Sequence, residues 1–123
     1  MKTLFTLLLL FISTVGFSQC GIFSPAELTY DFGKINFTGD TLVANFWFKN
    51  PGKGDLQIFS AKPSCGCTVA SFPEITAAGT GGVIVVKYFS ASPGFINKSV
   101  TIQTNDPNNG IVILRIKGET VKE

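Results

Sequence analysis

Two of the chain's three cysteines, Cys65 and Cys67, flank Gly66 in the stretch KPSCGCTV. Two thiols at this spacing can bind a soft metal ion, form a disulfide, exchange electrons with another thiol pair, or simply pack. Residues i and i+2 of a strand point to the same face, so an extended backbone would place both thiols side by side. Gly66 would allow an unusual backbone angle or the close approach of a ligand.

A metal site at Cys65 and Cys67 would have few ligands. Two thiolates suit a soft ion such as Cu(I). The chain has no histidine, and its one methionine is Met1 at the extreme N-terminus. A four-coordinate zinc site would therefore need ligands from a second copy of the chain. Cys65 and Cys67 remain candidate metal ligands, and the sequence predicts no cofactor.

Disulfide formation is a second interpretation, for which Cys20, Cys65 and Cys67 are the candidates. Thiols of exported proteins meet an oxidising environment and tend to pair. A bridge between Cys65 and Cys67 closes a very small ring, which favours strain and easy reduction. Pairing with Cys20 depends on where the N-terminus lies. Three cysteines leave one unpaired in any intramolecular scheme.

Thiol-redox chemistry and simple packing are the remaining interpretations of the pair. Exchange enzymes commonly place a low-pKa cysteine at a helix N-terminus, whereas no helix is predicted here and Lys62 is the only cation nearby in the sequence. Pro63 and Ser64 indicate a loop leaving a strand, so the pair precedes a strand or lies on a bulge. Small, partly buried cysteines that only shape the turn would fit the same pattern.

Other catalytic groups are missing from the sequence. Without histidine, neither a Ser/His/Asp nor a Cys/His arrangement can form. The eight carboxylates are scattered, and several, including Asp31 and Asp106, lie beside turns where hydrogen bonding to the backbone explains them. The glycine-rich residues 79–82 lack the following helix of a phosphate-binding loop and are predicted to form a turn. The sequence therefore predicts a protein that is not an enzyme.

The N-terminus predicts export. Lys2 supplies a positive start, residues 4–15 are almost entirely apolar, and small residues follow at Gly16 and Ser18. This is the order of a secretory signal, and the run is too short to span a bilayer. A buried helix is the alternative, but the run has no polar face. We predict a signal peptide at residues 1–18, an N-terminal extension at 19–26, and a location in the periplasm or cell envelope.

Cys20 is also a candidate for lipidation. The stretch FSQC resembles the lipobox of bacterial lipoproteins, except that Gln19 occupies the place of a small residue. A lipid on Cys20 would add two or more acyl chains, enough for stable anchoring, and would account for the unpaired third cysteine. Contact with the membrane is predicted only through export or through this anchor.

The charge balance gives no reason to expect nucleic acid as a partner. Removal of Lys2 with the signal leaves nine of the ten Lys and Arg residues against eight Asp and Glu, a net charge of +1. This charge is too small to attract nucleic acid or anionic lipid, and no basic run is interleaved with aromatic residues. The remaining chain is long enough for one domain with a real core.

Apolar and polar residues alternate along most of the chain after residue 25, as half-buried strands require. In TLVANFWFKN, for example, Phe46 and Phe48 fall on one face and Asn45 and Trp47 on the other. Turn signals such as PGKGD and NDPNNG separate the alternating stretches, and no window shows a helical face. We predict about seven strands, in ELTYDF, TLVANFWFKN, LQIFSA, the stretch from Cys65 to Val69, GVIVVKYFS, SVTIQT and IVILRIKG.

The twelve phenylalanines suit two sheets packed face to face, because large rings fill the gap between sheets. Trp47 lies in a strand of alternating phenylalanines and is predicted to pack as well, a stacking surface for carbohydrate or another ligand being the alternative. The predicted fold class is all-β: an approximately seven-stranded immunoglobulin-like sandwich of two antiparallel sheets at residues 27–118, with a C-terminal tail at 119–123.

The order of several stretches resembles a known family: FWFKNPG, LQIFSAKPSCGCT, a glycine-rich turn, VIVVKYF, PGF, VTIQTNDP and IVILRIKG. Together they resemble a domain family of unknown function, abundant in secreted proteins of Bacteroidetes-type bacteria, whose hallmark is the S-C-G-C-T stretch. The resemblance covers roughly residues 27–118 and leaves Cys20 outside. The T-N-D-P turn and the closing strand also resemble ASH-type and major-sperm-protein-like immunoglobulin-like domains, which mostly act as interaction or scaffold modules.

This resemblance implies an immunoglobulin-like sandwich and an exported location, but it carries no established activity and no catalytic residues. We therefore predict a non-enzymatic module of the bacterial cell envelope that binds a protein or another envelope component. The alternative is a periplasmic thiol-redox or soft-metal binding protein that uses Cys65 and Cys67.

Overall fold

The structure, a computed structural model, describes residues 21–122. The predicted signal peptide and Cys20 lie outside these residues. No helix long and apolar enough to cross a membrane occurs in the part of the chain that is described. Its strands are β1 (Ser24–Pro25), β2 (Thr29–Asn36), β3 (Leu42–Lys49), β4 (Leu56–Pro63), β5 (Thr68–Ser71), β6 (Ile75–Thr76), β7 (Gly81–Tyr88), β8 (Gly94–Thr104) and β9 (Ile111–Val121).

The strands form two sheets that enclose one core. The first sheet has the order β1-β3-β7-β5, and the second has the order β2-β9-β8-β4-β6. The predicted all-β sandwich is confirmed. The expectation of two purely antiparallel sheets is wrong at one place, because β2 and β9 run parallel, with Thr29 opposite Arg115. These strands lie at opposite ends of the domain sequence, so no hairpin imposes their relative direction.

Two strands beyond the predicted seven are β1 and β6, each of two residues. They pair with the ends of β3 and β4 and are too short to show the alternation from which strands are predicted. The strands also extend beyond residues 27–118, the predicted bounds of the sandwich. β1 lies within the predicted N-terminal extension at residues 19–26, and β9 continues to Val121.

The core follows the alternation of the sequence. In β3, Ala44, Phe46 and Phe48 are buried, while the residues between them are exposed. Burying one phenylalanine side chain contributes about 2 to 3 kcal/mol relative to exposing it, so the period of two decides which face of each strand turns inward. The buried apolar side chains are Phe23, Ala44, Phe46, Phe48, Leu56, Ile58, Ile84, Val86, Tyr88, Ile96, Val100, Ile102, Leu114 and Ile116.

The aromatic side chains divide between the core and the surface. Phe23 and Phe48 meet in the core with ring centroids 5.2 Å apart. Trp47, however, is 60% exposed and Phe95 is 82% exposed. The expectation that Trp47 packs inside is wrong, because its position in β3 turns it to the outer face of the first sheet, which no second layer covers in the described structure.

Each long strand connects two ends of the sandwich. We call residues 21–23, 50–55, 76–80 and 104–110 the Asn50 end, and residues 64–67 and 89–93 the cysteine end. β4 begins at the Asn50 end and finishes at the cysteine end. A strand of this length spans about 25 Å, which separates the two ends by most of the length of the molecule.

Asn50 is fully buried, and its side chain binds four backbone groups in three segments at its end of the sandwich. Its Oδ1 accepts hydrogen bonds from the backbone N–H groups of Ile22 at 2.8 Å and Gly52 at 3.1 Å. Its Nδ2 donates to the carbonyl oxygens of Gly54 and Thr76, both at 2.9 Å. One side chain thus satisfies four backbone groups at this end of the sandwich.

Asp106 makes the matching connection from the NDPNNG turn. Its buried carboxylate accepts the Phe23 N–H on Oδ2 at 2.9 Å and the Asn108 N–H on Oδ1 at 2.8 Å. The bond to Asn108 confirms the turn interaction expected from the sequence, whereas the bond to Phe23 joins segments 83 residues apart. The N-terminal segment is therefore fixed onto the sandwich. At Gly21 the segment lies so close to β4 that the Cβ of an alanine would be 2.3 Å from Leu56 Cα.

Candidate functional site

Cys65, Gly66 and Cys67 lie in the loop between β4 and β5. The strand predicted from Cys65 to Val69 begins only at Thr68, so the expectation that both thiols project from one face of a strand is wrong. The physical reason is the topology: β4 belongs to the second sheet and β5 to the first. The chain crosses between sheets within residues 64–67, so these residues leave the ladder of β4 before joining that of β5.

The two sulfur atoms of this loop are joined in a Cys65–Cys67 disulfide, with the Cα atoms 5.3 Å apart. Both cysteines are half-buried, and Cys67 packs against the hydrophobic core. In this form neither sulfur is the thiolate that a soft metal ion requires. The third disulfide candidate, Cys20, lies outside the described residues, and its predicted lipidation stays a prediction.

Hydrogen bonds hold the loop to the strands on both sides. The Ser64 N–H donates to the Ser99 carbonyl oxygen at 2.8 Å, and the Ser99 N–H donates to Ser64 Oγ at 3.1 Å. On the other side, the Phe89 N–H donates to the Cys67 carbonyl oxygen at 2.8 Å. The loop is therefore attached to β8 before the first cysteine and to the residue after β7 at the second.

Thr68 is a site residue that the sequence analysis did not single out, although it is the last letter of S-C-G-C-T. It is only 2% exposed, and its Oγ1 lies 3.5 Å from Cys65 Sγ. A buried hydroxyl normally has a hydrogen-bond partner, and among the described residues the partner of this one is the disulfide sulfur. The structure thus brings a polar hydrogen to one sulfur of the pair.

Gly66 lies at the surface between the two cysteines. Gly66 does not use the unusual backbone angles that glycine would allow, since the glycines with positive φ are at other positions. A Cβ atom at residue 66 would also meet nothing within 4 Å. Neither the backbone nor the packing of the described residues requires glycine here, and residue 66 itself faces open space.

The described residues contain no group of three or more His, Cys, Asp and Glu side chains that could hold a metal ion. Cys65 and Cys67 therefore have no third protein ligand nearby within residues 21–122. Their assignment as metal ligands stays a prediction that concerns the reduced pair.

A second candidate site is the outer face of the first sheet, which we call the apolar face. Trp47 is 60% exposed, Val69 50% and Val43 44%. Trp47 stands opposite Val83 in the ladder, and Lys87 stands between Val43 and Val69. The four strands of this sheet contain no Asp or Glu, so the face combines apolar side chains with lysines alone.

A family model with the description "Protein of unknown function (DUF1573)" matches residues 23–120. The chain belongs to the DUF1573 family. This match confirms the resemblance to a family of unknown function and includes the whole S-C-G-C-T stretch. No curated protein matches the sequence.

Several solved structures have a similar fold. A protein of unknown function from Porphyromonas gingivalis W83 superposes with a TM-score of 0.73 at 19% identity, over 89% of this chain and 50% of that chain. The DUF1573 chain thus spans half the length of that protein. The ASH/PapD-like domain 7 of human CEP192 gives a TM-score of 0.62 at 10% identity, over 82% and 86% of the two chains.

The VesB protease of Vibrio cholerae also contains a similar region, with a TM-score of 0.62 at 10% identity over 81% of this chain and 32% of that chain. At such identities the likeness shows the fold alone. The fold comparison confirms the predicted relation to immunoglobulin-like and ASH-type domains.

Proposed function

We propose that this DUF1573 protein is an exported, non-enzymatic module of the cell envelope that binds a protein or another envelope component through the apolar face. The observation that carries the proposal is the exposure of Trp47 in the middle of the first sheet, with Val43 and Val69 exposed nearby. Several exposed apolar side chains on one face of a sheet commonly mark an interaction site. Tryptophan is also among the residues that contribute most to binding energy at interfaces.

The charges on this face define the partner further. Lys49 and Lys87 are its charged side chains, and the strands of the sheet supply no carboxylate. A partner that surrounds an apolar centre with carboxylates would complement the face in both hydrophobicity and charge. Nucleic acid is not part of the proposal, because the net charge of the whole chain is only +2.

The export of the protein rests on the predicted signal peptide, and the periplasm or cell envelope is the proposed location. Attachment to a membrane would occur only through a lipid on Cys20. The proposal of no catalysis rests on the absence of histidine from the sequence and on the scattered carboxylates. Similarity to ASH/PapD-like domains supports the module architecture and contributes nothing to the choice of partner.

Site-specific photo-crosslinking in the producing cell tests the binding surface. A photoreactive phenylalanine at Asn45, which is exposed beside Trp47, should give a discrete cross-linked product, and the same group at the exposed Asn97 of the second sheet should not. Trp47→Ala should lower the yield at Asn45 by roughly tenfold or more, because interface tryptophans often contribute about 2 kcal/mol. Equal labelling at both positions, or no effect of Trp47→Ala, would contradict the proposed surface.

A second candidate function is thiol–disulfide exchange by the Cys65–Cys67 pair. It is favoured by the position of the disulfide, which joins near neighbours in a surface loop and leaves both cysteines half-buried instead of enclosing them. Equilibration of the protein with reduced and oxidised glutathione, followed by mass spectrometry, tests this function. A pair that stays oxidised at every glutathione ratio would eliminate it.

The soft-metal alternative applies to the same two residues after reduction. Anaerobic titration with Cu(I), with zinc as a second probe, compares the reduced protein with a variant carrying Cys65→Ser and Cys67→Ser. Metal binding by the reduced protein alone would support a two-thiolate site. Equal and negligible binding by both proteins would remove the metal hypothesis.

A further inference from the structure

We propose that the two sulfurs of the disulfide have different roles: Cys65 forms the mixed disulfide with an external sulfur compound, and Cys67 resolves it. Thr68 is the positioning residue that stabilises the Cys65 thiolate. This inference rests on the second candidate function, and it adds which sulfur reacts and which neighbouring group makes it reactive.

The first argument is the hydroxyl of Thr68. It is buried, and its partner at 3.5 Å is Cys65 Sγ. A disulfide sulfur is a weak hydrogen-bond acceptor, whereas a thiolate carries a full negative charge and accepts strongly. After reduction, the bond from Thr68 becomes stronger only if Cys65 ionises, so the contact favours a thiolate at Cys65.

The second argument is the surroundings of Cys67. Its side chain packs against the hydrophobic core, and an apolar environment disfavours a thiolate. Its carbonyl oxygen is fixed by the Phe89 N–H at 2.8 Å. The carbonyl oxygen of Cys65 receives only a long bond, from the Thr68 N–H at 3.4 Å. Cys67 thus has a firmly bonded backbone and an apolar environment, whereas the sulfur of Cys65 lies beside the hydroxyl donor of Thr68.

The third argument is the open surface at Gly66. No side chain stands between the two cysteines, and a Cβ atom there would meet nothing within 4 Å. The exposed middle residue of the loop therefore carries no side chain that could shield the pair.

The proposed exchange balances as follows for a reduced protein and an external disulfide. The Cys65 thiolate attacks one external sulfur, a bond forms between them, and the other external sulfur leaves as a thiolate. Cys67 then releases its proton to solvent, and its thiolate attacks Cys65 Sγ. The Cys65–Cys67 bond forms, the first external sulfur leaves as a thiolate, and two electrons have passed from the protein to the external disulfide. In reverse, an external dithiol is oxidised.

The test measures the acidity of each thiol in the full chain with Cys20→Ser, so that the third cysteine does not contribute. Reduced Cys67→Ser protein retains Cys65, and reduced Cys65→Ser protein retains Cys67. Alkylation by iodoacetamide is followed against pH in both. Below its midpoint Cys65 should be at least about 10-fold more ionised than Cys67 at the same pH, the lower end of the range expected for one hydrogen bond to a charged group.

Thr68 supplies the matched controls. Thr68→Val keeps the shape of the buried side chain and should abolish most of the advantage of Cys65, whereas Thr68→Ser keeps the hydroxyl and should preserve it. Circular dichroism confirms that each variant is folded. Equal midpoints for the two cysteines, a lower midpoint for Cys67, or no change in Thr68→Val overturns the assignment.

Oxidised glutathione then distinguishes the assignment from the function on which it rests. The Cys67→Ser variant should accumulate a glutathione adduct on Cys65 at least about threefold faster than Cys65→Ser accumulates one on Cys67. If the two-cysteine protein exchanges with glutathione but the adduct forms faster on Cys67, only the assignment fails. If the two-cysteine protein does not exchange at all, the second candidate function fails with it.

Discussion

The two ends of the sandwich are held together in different ways. At the Asn50 end, buried side chains bind backbone groups from distant parts of the chain, with separations of 28 residues from Asn50 to Ile22 and 83 from Asp106 to Phe23. At the cysteine end, the distinctive link is a covalent bond between residues only two apart. Long-range links maintain the fold, whereas such a short link constrains little of the unfolded chain and leaves its residues available for chemistry.

Gly21 at the Asn50 end and Gly66 at the cysteine end differ in how closely other atoms surround them. Gly21 lies against the backbone of Leu56, so a side chain there would collide with the sandwich, whereas Gly66 has open space around it. Tight packing at Gly21 and free space at Gly66 agree with a stabilising Asn50 end and an exposed cysteine end. The following predictions test this contrast, beginning with the largest expected effect.

Asn50→Ala should lower the free energy of unfolding by about 3 kcal/mol or more, since it leaves several buried backbone groups without partners. Urea denaturation followed by circular dichroism measures the loss. Asn45→Ala, an exposed asparagine on the preceding strand, is the control and should change stability by less than about 0.5 kcal/mol. A loss below about 1 kcal/mol for Asn50→Ala would contradict the role of this end in stability.

Asp106→Asn should lower the free energy of unfolding by about 2 kcal/mol. The two carboxylate oxygens accept separate N–H groups, from Phe23 and Asn108, and an amide has only one oxygen to offer. The loss should appear in urea denaturation and as faster hydrogen exchange at the Phe23 amide. Asp55→Asn at an exposed turn position provides the comparison, and equal stability of the two variants would argue against the connection to Phe23.

Reduction of the disulfide should lower the free energy of unfolding by only about 1.5 kcal/mol or less, because the closed loop is so short. The comparison is between oxidised and reduced protein with Cys20→Ser, measured in the same denaturant series. The variant with Cys65→Ser and Cys67→Ser should match the reduced protein. Unfolding of the domain on reduction would show that the cysteine end is essential to the fold, and it would contradict the proposed difference in stability between the two ends.

Thr76→Val should raise stability by about 0.5 to 1 kcal/mol, since a buried hydroxyl without a partner is costly and a methyl group of similar shape is not. Thr76 Oγ1 is such an atom in the described structure, while the carbonyl oxygen of the same residue accepts from Asn50. Thermal unfolding detects the change. Destabilisation would mean that the hydroxyl has a partner, such as a bound water molecule.

Gly66→Ala should change the free energy of unfolding by less than about 0.5 kcal/mol, because nothing lies within reach of the added methyl group. Gly21→Ala is the contrasting variant and should cost more than about 1 kcal/mol, since its Cβ would meet Leu56 Cα. Denaturant midpoints measured side by side suffice. Similar losses for both variants would show that the loop at Gly66 is as tightly constrained as the Asn50 end.

Much of the fold is predictable because alternation is a local property. The pattern in TLVANFWFKN anticipates which side chains of β3 turn inward, and the structure buries Ala44, Phe46 and Phe48 accordingly. Prediction failed for Trp47, whose burial depends on whether another layer covers the outer face. It failed also for the strand placed at Cys65, because the crossing from one sheet to the other is a property of topology and not of local sequence.

The candidate site was only partly accessible from the sequence. The spacing of Cys65 and Cys67 identified the pair. A disulfide between them was one of several alternatives, and its small ring predicted strain. The approach of the Thr68 hydroxyl to Cys65, and the packing of Cys67 against the core, required the three-dimensional arrangement. Two neighbouring cysteines differ in the stability of their thiolates only when one sulfur lies beside a hydrogen-bond donor and the other packs against an apolar surface.

The sequence by itself determined that this protein is an all-β sandwich and which faces of its principal strands turn inward, because a period of two in polarity belongs to each strand separately. Only the tertiary structure decided that β2 runs parallel to β9, that Asp106 holds the Phe23 backbone, and that Trp47 is exposed. These features join residues far apart in the chain, and their energies arise only when the folded backbone brings those residues into contact.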